Sequence, residues 1–175
     1  MKNFNKLAII LFTGLTIMFS SCSSDSDSNG GGGSAALGTI KAKIGGSNFT
    51  SMSQGTFATI ASNGVYQNLS IAGTDITGKT IQMMILGPNL GVGTYQITEQ
   101  DSDHPTTAVY SEVNLSNPTS ALTFAAPYEG SGNAGSVIIT SMTATNIQGT
   151  FSFTGTAESG VTKAITNGSF NVNFN

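Results

Sequence analysis

Glu99, Asp101, Asp103 and His104 stand within one hexapeptide, EQDSDH, in a chain where charged residues make up only 9% of 175. Alternating acids at 99, 101 and 103 could aim three carboxylates at one hard cation such as calcium, which takes oxygen ligands. His104 is the only imidazole in the chain, so any Ser-His-Asp arrangement would have to use it. Neither chemistry is completed by the sequence. The acids match no closed ligand set. His104 sits between acids and Pro105, where an exposed loop and a solvated ring are expected. The reading is a polar loop with no metal and no catalytic residue, and it is where a cation would be sought first. Glu112 and Glu129 are the other two carboxylates a glycosidase could use, but nothing in the sequence faces them across a cleft.

Exposed aromatic rings are the other chemistry to weigh, since they serve as platforms for sugars. Trp is absent. Tyr66 and Tyr128 lie in turn-like contexts. Tyr128, in APYEGSGNAG, is the first choice for an exposed ring because a glycine-rich loop gives it no core to fill. Tyr95 and Tyr110 fall in strand-like runs and read as core or edge residues.

A further acidic stretch precedes the domain. Asp25, Asp27, Asn29 and Gly30 match the first half of a calcium loop. The twelfth position, where a bidentate Glu belongs, is Ala36, and no helix can flank a serine and glycine tract. Residues 28 to 35 read instead as a flexible tether.

Cys22, the only cysteine, cannot form an internal disulfide. It follows a basic start at Lys2 and Lys6 and an apolar run from Leu7 to Phe19. That run is too short to span a bilayer, which needs roughly 20 residues of helix, and it reads as a signal peptide over residues 1–21. Ser20, Ser21 and Cys22 resemble a lipoprotein signal, in which the cysteine becomes the lipidated first residue. Phe19 departs from the more usual leucine. The resemblance implies acyl chains such as palmitate on Cys22. Each buried methylene contributes ~0.8 kcal/mol, so two or three chains give a stable anchor. Ser23, Ser24, Asp25, Ser26 and Asp27 resemble the serine and acid export signal of Bacteroidota surface lipoproteins. This implies an outer-membrane, cell-surface location.

From Leu37 to Asn175 one domain of short alternating strands is expected. Ile40, Ala42 and Ile44 oppose Lys41 and Lys43 across the pleat. Gly45-Gly46 and Asn63-Gly64 mark turns. Leu69, Ile71 and Gly73 share a face. Ile81, Met83 and Ile85 alternate with further apolar residues, Met84 and Leu86, which predicts a central strand buried on both faces. Phe151 and Phe153 lie between Gly149 and Gly155. Near the C-terminus, Val161 and Ile165 are odd-numbered, whereas Phe170, Val172 and Phe174 are even-numbered. A face cannot change parity along an unbroken strand. Asn167-Gly168 is therefore a turn or, preferably, a bulge, with the hairpin turn at Glu158-Ser159-Gly160. No helix-length amphipathic segment intervenes. The expected fold is all-β, an antiparallel β-sandwich or flattened meander barrel.

The segments GTIKAKIGGSNFTS and ATNIQGTFSFTGTA…ITNGSFNVNF resemble a family of small Bacteroidota lipoproteins known only as a domain of unknown function. Its signature here is Gly149, Thr150, Phe151, Phe153, Gly168 and Phe170. These are structural residues, so the resemblance brings no catalytic residue and no cofactor.

Net charge is −3, and −5 once Lys2 and Lys6 are removed with the leader, leaving four lysines against nine acids. Phosphate binding needs clustered cations, so nucleic acid is not an expected partner. The functional expectation is a non-enzymatic binding module, attached to the membrane through lipid, for a glycan, peptide or protein ligand. A structural or accessory role in an envelope assembly stands second. A hydrolase stands third.

Overall fold

A computed structural model describes residues 34–101, 103–113, 117 and 121–175. The leader, Cys22 and the acidic stretch at Asp25 lie outside the described residues. Eleven strands are present among those described: β1 Thr39–Ile44, β2 Ser47–Thr50, β3 Thr56–Ser62, β4 Gln67–Thr74, β5 Thr80–Gly87, β6 Gly93–Thr98, β7 Thr106–Glu112, β8 Leu122–Ala126, β9 Asn133–Met142, β10 Asn146–Thr156 and β11 Thr162–Asn173. Among the described residues there is no α-helix, hence none long and apolar enough to cross a membrane.

The strands form one antiparallel sheet in the order β2-β1-β11-β10-β8-β7-β5-β4-β3, with β9 also paired to β10 and β6 paired to β9. The sheet curls into a half-barrel. Of the two architectures expected from sequence, the barrel-like one is therefore found. At the far edge Ala58 of β3 forms a parallel bridge with Phe174, and its carbonyl accepts the Asn175 N–H at 3.0 Å.

Cross-strand pairing aligns the inward residues in rows. Ala58, Ile71, Met83, Ala108 and Ala126 are successive partners, as are Gly73, Ile81, Tyr110 and Phe124. All the apolar members are buried. Burial of each large side chain contributes about 1.5–3 kcal/mol, and together they offset the entropy lost in ordering the strands. The expectation that β5 is buried on both faces is corrected. β5 is central, between β4 and β7, but Met84 is 39% exposed. Among the described residues no second layer covers the outside of the curl there, so Met84 meets solvent while Leu86 is half-buried.

The parity change in β11 is a bulge. The strand runs unbroken through Asn167, at φ 52°, and the register against β10 shifts between Phe151 and Phe153. Ile165 and Phe170 consequently share the buried face. The hairpin turn lies where expected, with the Ala157 N–H donated to the Val161 carbonyl at 2.9 Å and Gly160 at φ 81°. Val161 belongs to that turn and is exposed, not part of the alternating face.

The signature glycines and phenylalanines are reciprocal. Gly149 pairs with Phe170, and Phe151 pairs with Gly168. A Cβ on Gly149 would meet the Ile138 carbonyl oxygen at 2.1 Å and the Phe170 ring at 2.4 Å. A Cβ on Gly168 would lie 2.5 Å from the Phe151 carbonyl oxygen. Each ring thus packs where its partner has no side chain. This covers the glycine and helps fix the register of the two longest strands.

Candidate functional site at the split in the sheet

The edge of β10 opposite β11 is shared by two strands. Residues 147–153 pair with β9, and Thr156 pairs with Ala125 of β8. β9 in turn pairs with β6, and β8 with β7. The sheet therefore divides into two arms joined at β10. The division falls between the Thr98–Asn133 pair and the Ala108–Ala126 pair. Residues 99–101, 103–105 and 127–132 fill the gap, in regions where the ladder no longer dictates side-chain direction. Loops held this way on a rigid sheet are where binding groups are usually found. The two loops are linked to each other, because Glu99 Oε1 accepts the Gly130 N–H at 2.9 Å.

A cleft lies on each side of this link. The first has a volume of about 330 Å³ and is walled by Asn89, Thr94, Tyr95, Gln96, Asp101 and His104. Its geometry is well fixed. The Tyr95 hydroxyl accepts the Gly91 N–H and donates to the Gly91 carbonyl, both at 2.9 Å. The Leu90 N–H is donated to Gln67 Oε1 at 2.8 Å, which pins the β5–β6 loop to β4. The His104 N–H is donated to Asp101 Oδ1 at 2.9 Å, and the His104 ring lies 5.7 Å from the Tyr66 ring, centroid to centroid. The second cleft, also about 330 Å³, is lined by Tyr128, Glu129, Asn133, Thr154, Thr156 and Thr162. The Tyr128 N–H is donated to the Ser131 hydroxyl at 2.9 Å, which holds the loop in a tight turn.

The residues singled out from sequence distribute as follows. Glu99 turns toward Gly130, while Asp101 turns back onto His104. The described residues contain no group of three His, Cys, Asp or Glu side chains that could hold a metal ion. Tyr128 borders the second cleft and is half-buried, not fully exposed. Tyr66 is also half-buried, at the end of the β3–β4 connection, where Asn63 Oδ1 accepts its N–H at 2.7 Å. Tyr110 is core, as expected, and Tyr95 lines the first cleft.

The two glutamates are not brought together. Glu129 is in the second cleft, whereas Glu112 ends β7 and pairs with Lys163 of β11 at 2.5 Å. Glu112 also accepts the Tyr110 hydroxyl at 2.8 Å. Burial pushes the Glu112 pKa up, but the hydrogen bonds from Lys163 and Tyr110 and the lysine charge outweigh it and hold it below the ordinary value. The Tyr110 phenol is raised, first by burial and then by the neighbouring carboxylate. This group is a brace between strands.

Sequence reasoning missed the Tyr66–His104 contact and the placing of Asn89 and Gln96 in one cleft. The Asn89-containing turn after β5 was visible as Gly-Pro-Asn, but its partners are distant in the chain.

A single curled antiparallel sheet whose chemistry-bearing side chains gather on loops at an internal split defines a small all-β domain. The chain belongs to the family described as Domain of unknown function (DUF6252), whose model matches residues 38–172. No curated protein and no solved structure matches the chain.

Proposed function

We propose that this is a lipid-anchored cell-envelope β domain that acts as a non-enzymatic binding module. The reading places it in the outer membrane of a Bacteroidota cell, held through acyl chains on Cys22 and displayed at the cell surface. The basic start, the short apolar run and the Ser20-Ser21-Cys22 junction support the anchor. The binding role rests on one observation: two loops at the split in the sheet bring Asp101, His104, Tyr128 and Glu129 to paired clefts whose walls also carry Tyr95 and uncharged polar side chains. Pockets of roughly 300 Å³ and upward with a few convergent polar groups are the usual form of a ligand site. Nucleic acid is not a partner in this reading, because the described domain carries only four lysines and no arginine.

The test has two parts. Cys22→Ala should move the protein from the membrane fraction to the soluble fraction, and a variant still fractionating with membranes would overturn the anchor. The detergent-solubilised full chain should bind at least one member of a glycan array or peptide library saturably, leaving the ligand chemically intact. Ligand turnover would overturn the non-enzymatic reading.

A further inference from the structure

We infer that the cleft walled by the β5–β6 loop, Asp101 and His104 is a site for one neutral sugar ring, as the terminal or branch residue of a glycan. The inference deepens the binding-module reading and rests on it.

The argument begins with charge. The described lysines are Lys41, Lys43, Lys79 and Lys163, and none lines the cleft. Its one anionic side chain is Asp101. A phosphate, sulfate or uronate would meet a carboxylate with no lysine or arginine to offset it, which disfavours acidic ligands. A metal or ammonium ligand is no better served. One carboxylate is present, and its Oδ1 is already engaged by the His104 N–H. A desolvated cation needs more than that.

Uncharged hydrogen-bonding groups remain. The Asn89 amide and Thr94 hydroxyl make no protein hydrogen bond among the described residues and are available to a ligand. Gln96 uses its Oε1 on Asn133 Nδ2 at 3.3 Å, which leaves its amide N–H groups for a ligand oxygen. Asp101 still has acceptor capacity, and His104 supplies a ring nitrogen. Donors and acceptors are therefore both present in the cleft, which suits hydroxyl groups that must both give and receive.

The lining is also partly apolar. Leu86, Pro88 and Leu90 border the same space as Tyr95. A sugar ring presents hydroxyls at its edge and C–H groups on its faces, and this lining matches both. Tyr95 is held by two hydrogen bonds to Gly91, the His104 backbone N–H is held by Asp101, and its ring lies against Tyr66. The Tyr95 ring is thus preorganised, which lowers the cost of binding at that wall of the cleft.

The experiment is isothermal titration and saturation-transfer NMR on the detergent-solubilised full chain with free glucose, galactose, mannose and N-acetylglucosamine. At least one should bind, with affinity unchanged between 0.05 and 0.5 M NaCl, since an uncharged ligand is insensitive to screening. Gln96→Ala and His104→Ala should each weaken binding by about tenfold or more. Ile76→Ser, at the distant β4–β5 turn, should bind as the parent does. If His104→Ala lowers the melting temperature, Asn89→Ala and Gln96→Ala decide. Sugar binding unaffected by these cleft substitutions would overturn the site while leaving the binding-module reading intact. Salt-sensitive binding would overturn the neutral class. Peptide binding without sugar binding would overturn the inference alone, and absence of both would overturn the reading beneath it.

Discussion

Lys163 Nζ lies 2.5 Å from Glu112 Oε1 and 4.7 Å above the centroid of the Phe124 ring, so the start of β11 is joined to the end of β7 across the intervening strands. Both side chains are largely covered, at 26% and 30% exposure. Glu112→Gln should therefore lower stability at neutral pH by about 1–2 kcal/mol, between the values for exposed pairs and charged buried hydrogen bonds. The folded-state pKa of Glu112 is depressed, so its contribution is present above the ordinary glutamate value of 4.5 and is lost as pH falls below it. Urea midpoints of parent and variant should differ at pH 7 and converge in acid. A constant gap across that range would contradict the assignment.

Phe151 is 4% exposed and stacks between Phe153 and Phe170, with centroids at 6.3 and 6.4 Å. Phe151→Ala should cost about 3–5 kcal/mol, because the ring leaves a cavity and uncovers Gly168. Chemical denaturation measures this directly, and a negligible shift would mean that the ring is not core.

Asn167 holds a left-handed backbone at φ 52° in the bulge. Asn167→Gly should be neutral within about 0.5 kcal/mol, and Asn167→Val should cost about 1–2 kcal/mol, since a β-branched residue tolerates that region poorly. Thermal unfolding of the pair separates backbone strain from lost side-chain contacts.

Glu99 and Gly130 link the two loops at the split by an exposed hydrogen bond. Glu99→Ala should leave global stability within about 0.5 kcal/mol of the parent. It should also raise amide exchange at Gly130 and its neighbours, because the loop loses its only side-chain link to residues 99–105 among the described residues. Unchanged exchange at Gly130 would show that the loop is held by something else.

Much of this fold is legible one residue at a time. Alternation identifies the strand around Ile40, and a parity argument narrows Asn167-Gly168 to a turn or a bulge, with the bulge and a hairpin turn at Glu158-Ser159-Gly160 preferred and found. Those features are local, and side-chain period decides them. The split in the sheet is not local. It depends on β8 and β9 sharing one edge of β10, and short strands carry no mark of which neighbour they will choose. Likewise Met84 and Leu86 suggested burial on both faces, because hydrophobicity reports a tendency and not the number of layers. Of the candidate site, Tyr128 was visible from its glycine-rich surroundings. The first cleft was not, since Asn89, Gln96 and His104 reach it from a loop, a strand and a second loop.

The place of β10 carries a kinetic consequence. Ile40, near the front of the domain, finds its partner Phe170 only in the last strand, and both arms wait on a strand that begins at Asn146. A newly made chain lacking this final hairpin holds three unconnected pieces with bare edges, the β1–β2 hairpin, the β6–β9 pair and the β3-β4-β5-β7-β8 sheet, and the two-stranded pieces are at best marginally stable alone. Closure of such remote pairs is slow, on the order of milliseconds to seconds for β topologies. Polypeptide emerging front-first should thus stay open and protease-sensitive until its tail is available, then zip in one late, cooperative step.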